Sequence, residues 1–198
     1  WTVTALFGPA SAKRLDLLGS PAGTVRKAGS AHLIVDPRAE QLGVRRLRRR
    51  SDEEADVGAV PVEPSVYHRH RLTLGVPEGA AELPLEKALV LESNFEALNG
   101  VSFSKGCFVG QELTARTKYR ALVRKRLLPV RVEGPLPAPG TPLMLQGREA
   151  GEMRSGSADR GIALVRLEAL GDELPVLRAE GSRMTPEWPA WLGPRPAS

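Results

Sequence analysis

The residues best suited to chemistry lie in one short string, Lys105-Gly106-Cys107-Phe108-Val109-Gly110-Gln111-Glu112. Cys107 is the only cysteine of the chain. It stands between Gly106 and Gly110, residues free to take backbone conformations that a Cβ forbids. Lys105, two positions away, brings an ammonium group that favours thiolate over thiol. Gln111 and Glu112 add an amide and a carboxylate to the surroundings. A glycine-framed cysteine among polar and basic neighbours reads as an exposed, reactive thiol. The competing reading is a small buried hydrophobe, the common fate of a free cysteine. Nucleophilic catalysis also needs a base and a group to orient it. The three histidines, His32, His68 and His70, all lie far from Cys107 in the sequence. One cysteine and three scattered histidines match no metal-ligand spacing, so no metal is expected on this chain alone.

The next residues alternate. If Gln111 to Arg120 is extended, Arg116, Lys118 and Arg120 line one face, and Thr117, Tyr119 and Ala121 the other. A row of cations suits a polyanion such as a polyglutamyl tail or RNA phosphates. A solvated sheet face is the simpler reading. Stacking platforms beyond Phe108 and Tyr119 are missing, which weakens an RNA-binding module as an alternative function. Direct nucleic-acid binding is therefore not expected.

These residues need elements to hold them. Trp1–Phe7 reads as a strand, Ala10–Leu18 as a helix with Leu15 and Leu18 on one side, and His32–Val35 and Gly43–Arg48 as strands. Arg45–Arg50 is the densest run of charge. With Asp52, Glu53, Glu54 and Asp56 behind it, it reads as a solvated, self-neutralising loop. Val62–Leu74 fits a helix with Val66, Arg69 and Thr73 on one side, stopped by Gly75 and Pro77. Leu83–Glu92 is irregular, and Asn94–Leu98 is a turn of helix. Beyond residue 125 the texture changes to short apolar runs between Gly and Pro turns: 127–132, 142–145, 150–155, 161–166 and 174–178. That spacing predicts a small barrel or sandwich. The tail from Pro186 packs back through Trp188 and Trp191 or trails in solvent. The expected domains are 1–125, α+β, and 126–198, a β-barrel with a Trp/Pro-rich tail.

Composition sets outer limits. The chain has 198 residues, 41% apolar and 26% charged, with a net charge of +5. That is ordinary for a globular chain and excludes a disordered tail, a collagen or a coiled coil. Arginine outnumbers lysine 22 to 6, which GC-rich coding explains better than an anionic partner does. A lone cysteine excludes a disulfide scaffold. No apolar run is long enough for a bilayer span, so no membrane partner is expected. The opening Trp1-Thr2-Val3-Thr4-Ala5-Leu6, without Met and in strand-like register, reads as the middle of a larger fold.

The cysteine string, preceded by Leu91-Glu92-Ser93-Asn94-Phe95 and Leu98-Asn99-Gly100-Val101-Ser102-Phe103, resembles the YgfZ-type folate-binding family. Arg71-Leu72-Thr73-Leu74-Gly75-Val76-Pro77 and Arg124-Lys125-Arg126 fit as well. The family includes bacterial proteins and a mitochondrial iron–sulfur assembly factor. It is related to the aminomethyltransferase T-protein of the glycine cleavage system. The resemblance implies the second ferredoxin-like portion of a T-protein-like folate-binding fold, then a small C-terminal β-barrel, with the first portion missing. It implies a tetrahydrofolate-binding accessory protein without turnover of its own, supporting iron–sulfur cluster assembly or repair. Its partners would be iron–sulfur assembly proteins and client enzymes, tRNA-modifying ones among them. The alternative is a one-carbon transferase. By the same resemblance, Glu92 holds the pterin, since a carboxylate can accept two parallel hydrogen bonds from a guanidine-like edge. Arg71 supports the folate site, and Cys107 carries the family's activity, with Lys105, Gln111 and Glu112 around it. The implied location is the bacterial cytoplasm, or the mitochondrial matrix in a eukaryote.

Overall fold

In the computed structural model, residues 1–52, 56–106, 108–120 and 123–195 are described. The chain divides into two units, Trp1–His70 and Arg71–Ser198.

The first unit is built on an antiparallel sheet of four strands: β1 (Thr2–Leu6), β2 (Val25–Ala28), β3 (Ala31–Val35) and β4 (Val44–Arg48), in the order β1-β4-β3-β2. Period-two alternation puts Leu6, Leu33, Val35 and Val44 on one face, where Leu15 and Leu17 close the core. The intervening helix α1 is shorter than expected, Ser11–Arg14. Asp16 takes a left-handed backbone conformation (φ 54°), and the Leu17 amide reaches back to the Ala12 carbonyl at 2.8 Å. This extra closure shifts the inward position from Leu18 to Leu17, and Leu18 is left exposed.

The arginine run is not a loop. Arg45, Arg46 and Arg48 belong to β4, and Arg46 is buried. Glu53 and Glu54 of the acidic block lie outside the described residues. What organises the run is Asp36, which is 1% exposed. Arg38 holds both its carboxylate oxygens at 3.1 and 3.0 Å, and Arg45 Nε donates to Oδ2 at 2.8 Å. Arg38 also donates to the Tyr67 hydroxyl at 3.2 Å. Burial alone would raise the Asp36 pKa. The hydrogen bonds from Arg38 and Arg45 outweigh it and hold the carboxyl below its ordinary value of 3.8.

Helix α2 (Pro64–Leu74) ends as expected but begins two residues later than Val62, and the Val66, Arg69 and Thr73 side is the exposed one. Its last turn buries Arg71 and Leu72. A short helix α3 (Gly79–Glu82) follows, within what the sequence left as breakers and loop.

The second unit carries a closed antiparallel barrel of six strands: β5 (Lys125–Glu133), β6 (Pro142–Leu145), β7 (Arg148–Ser157), β8 (Arg160–Arg166), β9 (Leu177–Ala179) and β10 (Ser182–Pro186). Their order around the barrel is β10-β5-β8-β7-β6-β9. Leu128, Val130 and Val132 of β5 fill the interior with Met153, Val165, Leu177 and Met184. Leu127 and Ile162 pack instead with Leu72 of α2. The tail packs back: Trp188 and Leu192 lie against the barrel core, and Trp191 Nε1 donates to the Leu74 carbonyl at 2.7 Å.

The low pKa of Asp36 fixes a sign. A carboxyl depressed in the folded state contributes stability that is complete above 3.8 and lost as pH falls through the lower folded value. Hydrogen exchange at the β3 and β4 amides of the whole chain should therefore speed up as pH drops below 3.8, after correction for intrinsic rates. Asp36→Asn should remove most of that pH dependence, and an unchanged profile in the variant would contradict the assignment.

Candidate functional site

The segment 90–106 and helix α4 (Glu112–Tyr119) form the site, and side chains from β5 position them. Asn94 is fully buried and sits in the left-handed region (φ 62°), which Asn tolerates better than most residues. Its Nδ2 donates to the Leu127 carbonyl at 2.6 Å, and its Oδ1 accepts from Arg126 Nη1 at 3.0 Å. Arg126 also donates to the Leu91 carbonyl at 3.2 Å, and the Leu127 amide donates to the Glu92 carbonyl at 3.0 Å. The motif segment is thus fastened to the first strand of the barrel at four points. Burial pushes the Arg126 pKa down, opposed by the negative charge of Glu96. Glu96 in turn pairs with Lys118 of α4, whose ammonium lies over the Phe103 ring at 4.2 Å.

Expected as an extended basic strand, residues 112–119 are helical. Glu112 in the first turn and Arg116 and Lys118 in the last suit the helix dipole, which the alternating pattern concealed. The cations therefore do not form one row. Arg116 and Arg120 are exposed, while Lys118 is half-buried and turned to Glu96.

Between the segment and the helix lies a cavity of about 400 Å³. Among the described residues its walls are mainly Val90, Phe95, Val101, Phe103, Ala115 and Tyr119, with Ser102, Gln111 and Thr114 as polar points. Phe103 and Tyr119 meet edge to face, ring centroids 6.4 Å apart.

The candidate residues fall into three groups. Lys105, Gln111 and Glu112 come together: Lys105 Nζ donates to Gln111 Oε1 at 2.8 Å, and Glu112 Oε2 accepts from the Gly110 amide at 3.0 Å. Gly106 and Gly110 both have φ of 89°, a region that favours glycine. The turn between them displays Phe108 and Val109, the latter fully exposed. Cys107 lies outside the described residues.

Glu92 is half-buried, and among the described residues its carboxylate accepts no hydrogen bond and joins no ion pair. Arg71 is committed elsewhere. Its guanidinium, 2% exposed, grips Glu82 with two bonds of 2.8 Å and donates to the Val76 carbonyl at 2.7 Å. Glu82, also 2% exposed, accepts from the Glu78 amide at 2.7 Å and from the Ser155 hydroxyl on β7. The pair pins α2 and α3 to the barrel.

Sequence reasoning missed Glu82, the bracing role of Asn94 and the aromatic walls of the cavity. Glu82 pairs across 11 positions, which leaves no local pattern. Asn94 had a visible signal, an Asn inside a turn ahead of the motif, but nothing local reveals a partner 33 residues away.

Residues 124–194 match the family described as the CAF17 C-terminal beta-barrel domain, so the six-stranded barrel belongs to that class. Over most of its length the chain is similar to proteins named mitochondrial iron-sulfur cluster assembly factor IBA57. It is 39% identical over 174 residues to that of Mus musculus and 40% over 173 residues to that of Homo sapiens, 82% of this chain in each case. A homologue from Neosartorya fischeri is 36% identical over 198 residues, 87% of this chain. The chain spans about half the length of these relatives or less, 49%, 49% and 43%. At the level of family its similarity is to the proteins named iron-sulfur cluster assembly factor IBA57.

The Arg71–Glu82 pair generates a stability test. Glu82→Ala removes the buried partner of the Arg71 guanidinium, leaving the half-exposed Glu78 as counter-charge, and should cost about 3–5 kcal/mol in denaturant unfolding of the chain. Glu78→Ala, on the exposed side of the same arginine, should cost under about 1 kcal/mol. Similar losses for the two would show that burial of the pair is not what matters.

Proposed function

We propose that this protein supports iron–sulfur cluster assembly or repair as a tetrahydrofolate-binding accessory factor. The observation that carries the reading is the similarity over 82% of the chain to proteins named iron-sulfur cluster assembly factors. Support also comes from the exposure of Lys105 and of Phe108 to Glu112, which follow a segment fastened to the barrel at Asn94. The cluster is cargo here, and Cys107 is the thiol assigned to it. Lys105, two positions away in the sequence, is the cation assigned to favour its thiolate, while Gln111 pairs with Lys105 and Glu112 with the Gly110 amide.

Glu92 is the residue assigned to the pterin. A half-buried carboxylate without a protein partner among the described residues fits an acceptor of two parallel hydrogen bonds. Arg71 serves this site through position alone, since its guanidinium is spent on Glu82. The upstream sheet and helices are assigned to the folate-binding body of a T-protein-like fold. The location proposed is the mitochondrial matrix if the source is eukaryotic, following the relatives' names, and the cytoplasm if it is bacterial. Iron–sulfur client enzymes are the proposed partners, tRNA-modifying ones among them.

Two experiments test these roles. In a strain lacking the protein, Cys107→Ser should fold normally yet fail to restore iron–sulfur enzyme activity; full restoration would remove Cys107 from the account. In calorimetry on the complete protein, Glu92→Ala should weaken tetrahydrofolate binding at least about tenfold, the scale of losing a charged hydrogen-bond pair. Unchanged affinity would exclude Glu92 from the pterin site.

A further inference from the structure

The cavity beneath the motif is not used by the reading above. Its size falls within the range of small-ligand sites, roughly 300–1,000 Å³. Three of its walls are aromatic, Phe95, Phe103 and Tyr119, and aromatic faces and edges favour a flat ring as occupant. Gln111 and Thr114 supply polar points without charge.

Charge enters at the rim. Lys105 Nζ lies 2.8 Å from Oε1 of Gln111, a lining residue, and 4.5 Å from the centre of the Phe108 ring. Among the described residues it pairs with no carboxylate. The other ammonium nearby, that of Lys118, is already matched by Glu96. Among the described residues the site therefore offers an aromatic-walled hollow with a cation at its edge that no carboxylate meets. A neutral apolar ligand would leave that cation unused, and a dication would meet repulsion.

We infer that this cavity is a binding site for an aromatic monocarboxylate, its ring against Phe95 and the Phe103–Tyr119 pair and its carboxylate on Lys105 Nζ. The inference is independent of the folate reading, which rests on Glu92. Gln111 orients the ammonium. When a carboxylate arrives, Lys105 exchanges a neutral amide acceptor for a charged one, which is the stronger bond.

The test uses the whole chain with two probes, 1-naphthoate and its neutral analogue 1-naphthamide, followed by calorimetry. Naphthoate should bind saturably and more tightly than the amide. Lys105→Met, a change at an exposed position, should weaken naphthoate about tenfold and leave the amide unchanged. Ala115→Phe, which fills the hollow from α4, should abolish binding of both, with an unchanged melting profile showing that the fold survives. No saturable binding of naphthoate would overturn the proposal. So would equal effects of Lys105→Met on the two probes, or full binding in a folded Ala115→Phe variant.

Discussion

The fastening of the motif segment centres on one buried side chain, the amide of Asn94. Both ends of that amide are used, Nδ2 on the Leu127 carbonyl and Oδ1 on the Arg126 guanidinium. A fully buried amide with either end unmet would carry a desolvation cost comparable to the bond it lost. The placement of the segment satisfies both ends together with the Leu127 amide and the Leu91 carbonyl. From this point the constraint spreads outward. The charge of Glu96 acts on Arg126, Glu96 pairs with Lys118, and Lys118 lies over Phe103. The cavity wall and the helix that closes it are thus tied by a chain of polar contacts to the first strand of the barrel.

The barrel supplies the rigidity such a brace needs. Its interior is filled by fully buried Leu, Val and Met side chains, and closure leaves β5 paired on both sides, with β10 and β8. Strand β5 has two functions at once: Leu128, Val130 and Val132 point into the core, while Arg126 and Leu127 serve what lies outside it. The Arg71–Glu82 pair performs a second fastening, holding α2 and α3 to β7 through Ser155.

Much of this was legible in the residues. Strands β5 to β8 announced themselves because apolar runs of the right length stand between Gly and Pro turns. Strand β9 is expected at 174–178 and lies slightly later, at Leu177–Ala179. Strands β2 and β10 are not expected: they are short and carry Arg26, Lys27 and Arg183, so the hydrophobic pattern is weak and pairing makes them strands. Helix α4 misled for the opposite reason: alternating cations imitated a strand, whereas the placement of Glu112 before Arg116 and Lys118 carried the helical signal. At the site, the cysteine string and its two positive-φ glycines were visible. The cavity was not, because its walls come from Val90 to Tyr119 and meet only after Asn94 has set the segment in place.

The central claim is that Asn94 positions the site segment without being needed for the barrel. Hydrogen exchange on Asn94→Gly tests it directly, since glycine keeps the left-handed backbone and removes only the amide. Amides from Phe95 to Gly106 and through α4 should exchange about tenfold faster or more, the scale of losing a buried hydrogen bond to a charged group. Those of β6, β7 and β8 should keep their protection. Unchanged exchange in the segment, or an equal loss of protection throughout the barrel, would contradict the account.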